Sequence, residues 1–146
     1  MSTTDSLPHA ATLLVRDNCL CLHVQRAARA LARRFDEAFR PLGITSGQFS
    51  LLMSLNRAEP PMMGEVSSLL AVDRTTLTAA LKPLERRGLV RIMVDKKDKR
   101  ARRLVLSAAG KKLLSHALPV WIARHAELDG IIGNPDRLRG DLRKLT

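Results

Sequence analysis

Apolar residues recur along this chain at alternating steps of three and four, the period of one helical face. The first such stripe is Cys21, Val24, Ala28, Leu31, Phe35 and Ala38, with Gln25, Arg26, Arg29 and Arg33 lying off it. Asp17 or Asn18 is placed to cap this helix, and Pro41 with Gly43 stops it. So narrow a seam suits packing against other helices, including those of a second subunit. A second helix is expected from Thr45. Gln48 stands three residues on, as in a capping box, and Ile44 and Phe49 take the two positions of a hydrophobic staple. Phe49, Leu51, Leu52, Met53 and Leu55 are apolar on more than one side, which fits a central place in a small core.

After a loop over 57–61, a short third helix is expected over 64–71 through Val66, Leu69 and Leu70. A fourth starts at Asp73, whose carboxylate can accept from the free amides of the first turn, with Val72 and Leu77 placed as a staple. Leu77, Ala80, Leu81 and Leu84 form its apolar face, and Gly88 suits the left-handed residue that ends it. Pro83 removes a hydrogen bond inside a helix, at about 3 kcal/mol relative to Ala in an ideal interior, so a bend is expected after Lys82. The period then changes. Segments 89–94 and 102–106 are rich in Val, Ile and Leu and flank a charged run over 95–100, the pattern of a β-hairpin with a long tip. Ser107 caps a long helix with Leu113, Leu114, Ala117, Leu118, Trp121, Ile122 and Leu128, expected to be interrupted near Pro119 and closed by Gly130 and Gly133. Asn134-Pro135 opens a last helix with the stripe Leu138, Leu142 and Leu145.

A length of 146 residues accommodates one domain, and 45% hydrophobic with 27% charged residues describes an ordinary globular chain. No apolar run approaches the roughly 20 residues of a membrane span. The N-terminus, with Asp5, His9 and Arg16, lacks the pattern of a secretory signal, so a cytoplasmic protein is expected. Charge changes the picture more. The net charge is +11, and residues 73–103 hold eleven basic against four acidic residues, a local excess of +7. Charge concentrated in this way points to a polyanionic partner, because phosphate contacts release counterions.

The capped fourth helix carries Arg74, Thr75, Thr76, Thr78, Ala79 and Lys82 away from its apolar face, and the hairpin tip carries Lys96, Lys97, Lys99 and Arg100. Helix, helix, recognition helix and charged hairpin in this order make a winged helix-turn-helix, a mainly α fold with a small β wing and flanking helices. Such a recognition helix enters the major groove of double-stranded DNA while flanking elements hold phosphates. Arg74 and Lys82 are suited to guanine acceptors or phosphates, the threonines to bases or phosphates, and Ala79 to thymine methyls. Arg100 and its lysine neighbours suit a narrow minor groove. Each element alone is as well read as a solvated face, but the combination favours DNA. There is no phosphate-binding glycine loop, His-Glu-x-x-His or serine elbow, so no catalytic residues and no cofactor are expected. His23, His116 and His125 show no local ligand spacing, and no metal site is expected.

The run Leu84-Glu85-Arg86-Arg87-Gly88-Leu89-Val90, then Asp95-Lys96-Lys97-Asp98-Lys99-Arg100 and Leu104-Val105-Leu106-Ser107-Ala108-Ala109-Gly110, closely resembles the signature of the MarR family of bacterial transcriptional regulators. The resemblance covers about 18–128. It implies a single domain over 1–146, with dimerisation helices at 18–42 and 107–146 around a DNA-binding part at 44–106. It further implies a homodimer on a pseudo-palindromic operator, and repression relieved by a small, often aromatic, effector. By matching position it makes Arg100 the minor-groove arginine and Asp98 a structural partner of a nearby basic group. Segment 17–22 also resembles the organic-hydroperoxide sensors of that family, with Cys21 matching their oxidised cysteine and an oxidant as the signal. Those sensors use tyrosine hydroxyls, and this chain has no tyrosine. A free cysteine on an apolar stripe more often acts as a small inert hydrophobe than as a sensor. The alternative from another class is an architectural protein that coats nucleic acid without sequence choice.

Overall fold

The computed structural model describes residues 6–146, so the expectation that involved Asp5 lies outside the described residues. Seven α-helices and one hairpin follow in the order α1 (His9–Asn18), α2 (Leu20–Phe39), a 3-10 turn (Arg40–Leu42), α3 (Ser46–Ser54), α4 (Met63–Leu70), α5 (Arg74–Arg86), β1 (Val90–Val94), β2 (Arg102–Leu106), α6 (Ala108–Ile131) and α7 (Pro135–Arg143). The mainly α fold with a β-hairpin wing is thus the one the periodicity predicts.

The N-terminal boundary differs from expectation. Residues His9–Asn18 form a helix of their own, and Asn18 closes it by donating from Nδ2 to the Leu14 carbonyl at 2.8 Å. Asp17 and Asn18 therefore end α1 rather than cap α2. Cys19, extended at ψ 112°, breaks the two helices apart, and its Sγ accepts from the Leu22 amide at 3.4 Å.

α3 starts as expected. Thr45 Oγ1 accepts from the Gln48 amide at 3.1 Å, Gln48 Oε1 accepts from the Thr45 amide at 3.0 Å, and Ile44 and Phe49 are both buried. α4 begins one residue earlier than expected, where Glu65 Oε2 accepts from the Met62 amide. Ala71, at φ 54°, turns the chain from α4 into α5 in the left-handed region. Leu77, Leu81 and Leu84 of α5 are fully buried beside Phe39, Leu52, Val66 and Leu104, and this cluster is the centre of the core. Pro83 does not interrupt α5. The helix ends after Arg86 with Gly88 at φ 71°, the Leu89 amide donating to Leu84 O and the Gly88 amide to Glu85 O, a Schellman arrangement.

β1 and β2 pair antiparallel, with Val90 opposite Leu106 and Val94 opposite Arg102. The free edge of β2 is covered by the loop before α4, through Leu104 N–H to Pro61 O at 2.9 Å and a bridge between Met62 and Arg103. α6 runs unbroken through Pro119, and Gly130 lies inside its last turn, so neither the expected interruption nor that stop is present. Asn134 caps α7 with Pro135 at its first position, as expected. No helix among the described residues is long and apolar enough to cross a membrane.

Candidate nucleic-acid interface

The polar side of α5 is fixed by its start. Asp73 Oδ1 accepts from the Thr76 amide at 2.6 Å, and that bond holds the Asp73 carboxyl below the usual carboxylate range. The cap anchors the first turn while Leu77, Leu81 and Leu84 bury the opposite face. Arg74, Thr75, Thr76, Thr78, Ala79 and Lys82 are all left exposed. Arg74 and Lys82 meet no carboxylate within 4 Å among the described residues. Thr78 Oγ1 donates to the Arg74 carbonyl at 2.7 Å, so in this conformation it offers a partner an acceptor and a methyl group rather than a donor. Thr76 stands at the edge of the exposed polar face, beside a groove between α3 and α5 that Gln48 and Val72 also line.

The wing tip is built around Asp95, which is 8% exposed. Its carboxylate accepts from the Lys97 and Asp98 amides at 3.3 and 3.0 Å and from Arg103 Nε at 2.6 Å. The Arg103 guanidinium first, then the Asp98 amide, hold the Asp95 carboxyl below its ordinary value. Arg103 Nη1 also donates to the Pro60 carbonyl at 2.6 Å, which ties the wing to the loop before α4. Lys97, Lys99 and Arg100 project from this braced turn and are exposed.

Asp98 departs from expectation. Its carboxylate accepts from the Arg100 backbone amide at 3.0 Å and meets no basic side chain within 4 Å among the described residues. It shapes the turn that carries Arg100, and the ion pair that organises the wing belongs to Asp95 and Arg103. In the sequence Arg103 stands out only by its charge, and Asp95 by its charge and its place in the signature run. Their signal is Asp95 at the exit of β1, where an aspartate that bonds the amides two and three residues on forms a local turn.

Cys21, expected on a packed stripe, is exposed on the protomer, and Cys19 is the partly buried thiol. Trp121 is half-buried, its ring 4.6 Å from that of His125 and 6.5 Å from that of Phe49. It walls an open groove of about 410 Å³ between α3, α4 and α6, with Phe49, Met53, Leu69 and Leu118. No group of three or more metal-ligating side chains occurs among the described residues.

A capped helix with an exposed cationic and hydroxyl face, beside a braced cationic hairpin, defines a winged helix-turn-helix protein of the DNA-binding class. A sequence model of the MarR family matches residues 44–101. Transcriptional regulator HosA of Escherichia coli is 35% identical over 104 residues, which span 70% of this chain and 71% of HosA. An uncharacterised helix-turn-helix regulator of Bacillus subtilis, YybA, is 28% identical over 66% of this chain, and the match spans 64% of YybA. The structure of the Mycobacterium tuberculosis transcriptional regulator MosR in complex with DNA is similar to this chain at 38% identity. It has a TM-score of 0.81, with 88% of this chain and 93% of MosR covered. The chain belongs to the MarR family, which is a family of transcription regulators and not an enzyme class.

Proposed function

We propose that this protein is a transcriptional repressor that binds a pseudo-palindromic operator as a homodimer and is released by a small effector or by thiol oxidation. The observation that carries the reading is the exposed surface formed by Arg74, Thr75, Thr78 and Lys82 on α5 and Lys97, Lys99 and Arg100 on the wing. Asp73 caps the first turn of α5, Asp95 organises the start of the wing turn, and Asp98 bonds the Arg100 amide. The α5 residues enter the major groove and Arg100 the adjacent minor groove.

Dimerisation is supported by where apolar surface remains exposed. Leu20, Val24 and Leu31 on α2, Ile122 on α6 and Leu138 and Leu142 on α7 are all open to solvent on the protomer. A second copy covering these helices would place two readers about 34 Å apart, one helical turn of DNA. The Trp121 groove is of a size for a small aromatic effector, and Cys21, exposed on the single chain, is the thiol an oxidant would reach before a second copy covers its stripe.

The test is a titration of operator fragments, selected from genomic DNA, against random duplex over a salt series, with sedimentation to give the stoichiometry. Specific binding with two chains per site is expected. Equal affinity for both DNAs at every salt would instead identify an architectural protein.

A further inference from the structure

The face of α2 opposite Phe35 and Phe39 carries Arg26, Arg29, Arg33 and, at its margin, Arg34, all exposed. None has a carboxylate within 4 Å among the described residues, although Arg16, Arg40, Arg57, Arg103, Arg124 and Arg139 each do. Residues three and four apart are neighbours on a helix, and like charges there destabilise it by about 0.2–0.5 kcal/mol per pair. The stripe thus works against its own helix. Its residues are arginine throughout, whose planar fork matches phosphate oxygens. Ala27 and Ala30 between them, with His23, leave a shallow groove of about 450 Å³ floored by small side chains.

A second copy of this chain is a poor occupant, because most of its carboxylates are already engaged. Among the described residues, eight of the thirteen side-chain carboxylates, those of Asp17, Glu37, Glu65, Asp95, Glu127, Asp129, Asp136 and Asp141, lie within 4 Å of arginine or lysine side chains. The apolar residues Val24 and Leu31, which a second copy would cover, lie on the other side of α2 from Arg26 and Arg33. The stripe is also fixed to the reading head. Asp36 Oδ1 of α2 accepts from the Ser46 amide of α3 at 2.7 Å, and Arg87 at the end of α5 donates from Nη1 to Gly43 O at 2.7 Å.

We propose that Arg26, Arg29 and Arg33 form a further DNA contact, distinct from α5 and the wing, that neutralises backbone phosphates of the duplex without reading its sequence. This rests on the DNA-binding reading above. Each neutralised phosphate contributes about 0.9 to the log–log slope of affinity against salt. Across a four-fold rise in salt, each accounts for about a 3.5-fold fall in affinity.

The experiment measures binding of a labelled mixed-sequence linear duplex over a salt series, for the full chain and two triple variants. Arg26→Gln/Arg29→Gln/Arg33→Gln is expected to bind more weakly, with a slope lower by about 0.9 for each phosphate it no longer neutralises. Arg26→Lys/Arg29→Lys/Arg33→Lys is expected to keep the wild-type slope. Circular dichroism of both variants establishes that α2 is intact. Wild-type slope in the glutamine variant overturns the proposal, as does a reduced slope in the lysine variant. Failure of the wild-type chain to bind any duplex would overturn the DNA-binding reading itself, which the two variants cannot do.

Discussion

Gly110→Ala should destabilise this protein, against the ordinary sense of a glycine-to-alanine change in a helix. Gly110 is buried in the first turn of α6, and its amide donates to Ser107 Oγ at 3.0 Å. A Cβ built there falls 2.5 Å from the Leu89 carbonyl oxygen and 2.6 Å from Leu106 Cδ1. The leucine side chain can turn aside, but the oxygen is backbone and is the acceptor for the Ser107 amide at 3.0 Å. The start of α6 must therefore move off the base of the hairpin. Overpacking of this kind costs about 1–3 kcal/mol, the strained Ser107 bond about 1 kcal/mol more, and the helix preference of Ala over Gly returns about 1 kcal/mol. A net loss of about 2 kcal/mol corresponds to a midpoint about 4–8 °C lower for a chain of this size. Thermal unfolding followed by circular dichroism, at equal protein concentrations, reads this directly. Gly64→Ala is the internal contrast, since a Cβ at Gly64 meets nothing within 4 Å; it is expected to leave the midpoint unchanged or raise it. A Gly110→Ala midpoint at or above wild type would refute the packing account of this junction.

Other outcomes follow from the site. Asp73 and Asp95 have carboxyl groups lowered in the folded state, so their contribution is present above the usual carboxylate value and is lost as pH falls through their lowered values. The stability gap between wild type and Asp73→Asn/Asp95→Asn should be steady near neutrality and close below about pH 4, measured by urea unfolding over a pH series. Asp95→Ala should loosen the wing with little change in helix content, seen as faster proteolytic cleavage within 95–101; unchanged cleavage would mean that the Asp95–Arg103 pair does not brace it. Lys82→Ala or Arg100→Ala should weaken duplex binding and lower the salt slope by about 0.9 each, and an unchanged slope in a titration would remove that residue from the interface.

How much of this was legible in the sequence depended on whether a short-range rule sufficed. The starts of α3, α5, α6 and α7 were readable because Thr45, Asp73, Ser107 and Asn134 act on amides within three residues. The hairpin strands were readable from their change of period. α1 was missed because its boundary with α2 is a single extended residue, Cys19, of a type that seldom caps a helix. The continuity of α6 through Pro119 was missed because one absent backbone bond is outweighed along a 24-residue helix that buries Leu114, Ala117 and Leu128. In the candidate site the exposed face of α5 was readable, whereas the Arg103 bond to Pro60 O, 43 residues away, was not. The need for glycine at 110 likewise arises from Leu89, which only the folded chain brings near.

Ser107 has a consequence beyond capping. Its hydroxyl donates to the Gly88 carbonyl at 2.6 Å while its amide holds the Leu89 carbonyl, so the end of α5, the start of β1 and the start of α6 meet at one residue. α6 spans 24 residues, about 36 Å at 1.5 Å per residue. Pivoting about that joint by roughly 5° carries its far end through about 3 Å. A reorientation of α5 about that joint would therefore be enlarged at the far end of α6, and a displacement imposed there would arrive at α5 scaled down, as through a long lever with its fulcrum at Ser107.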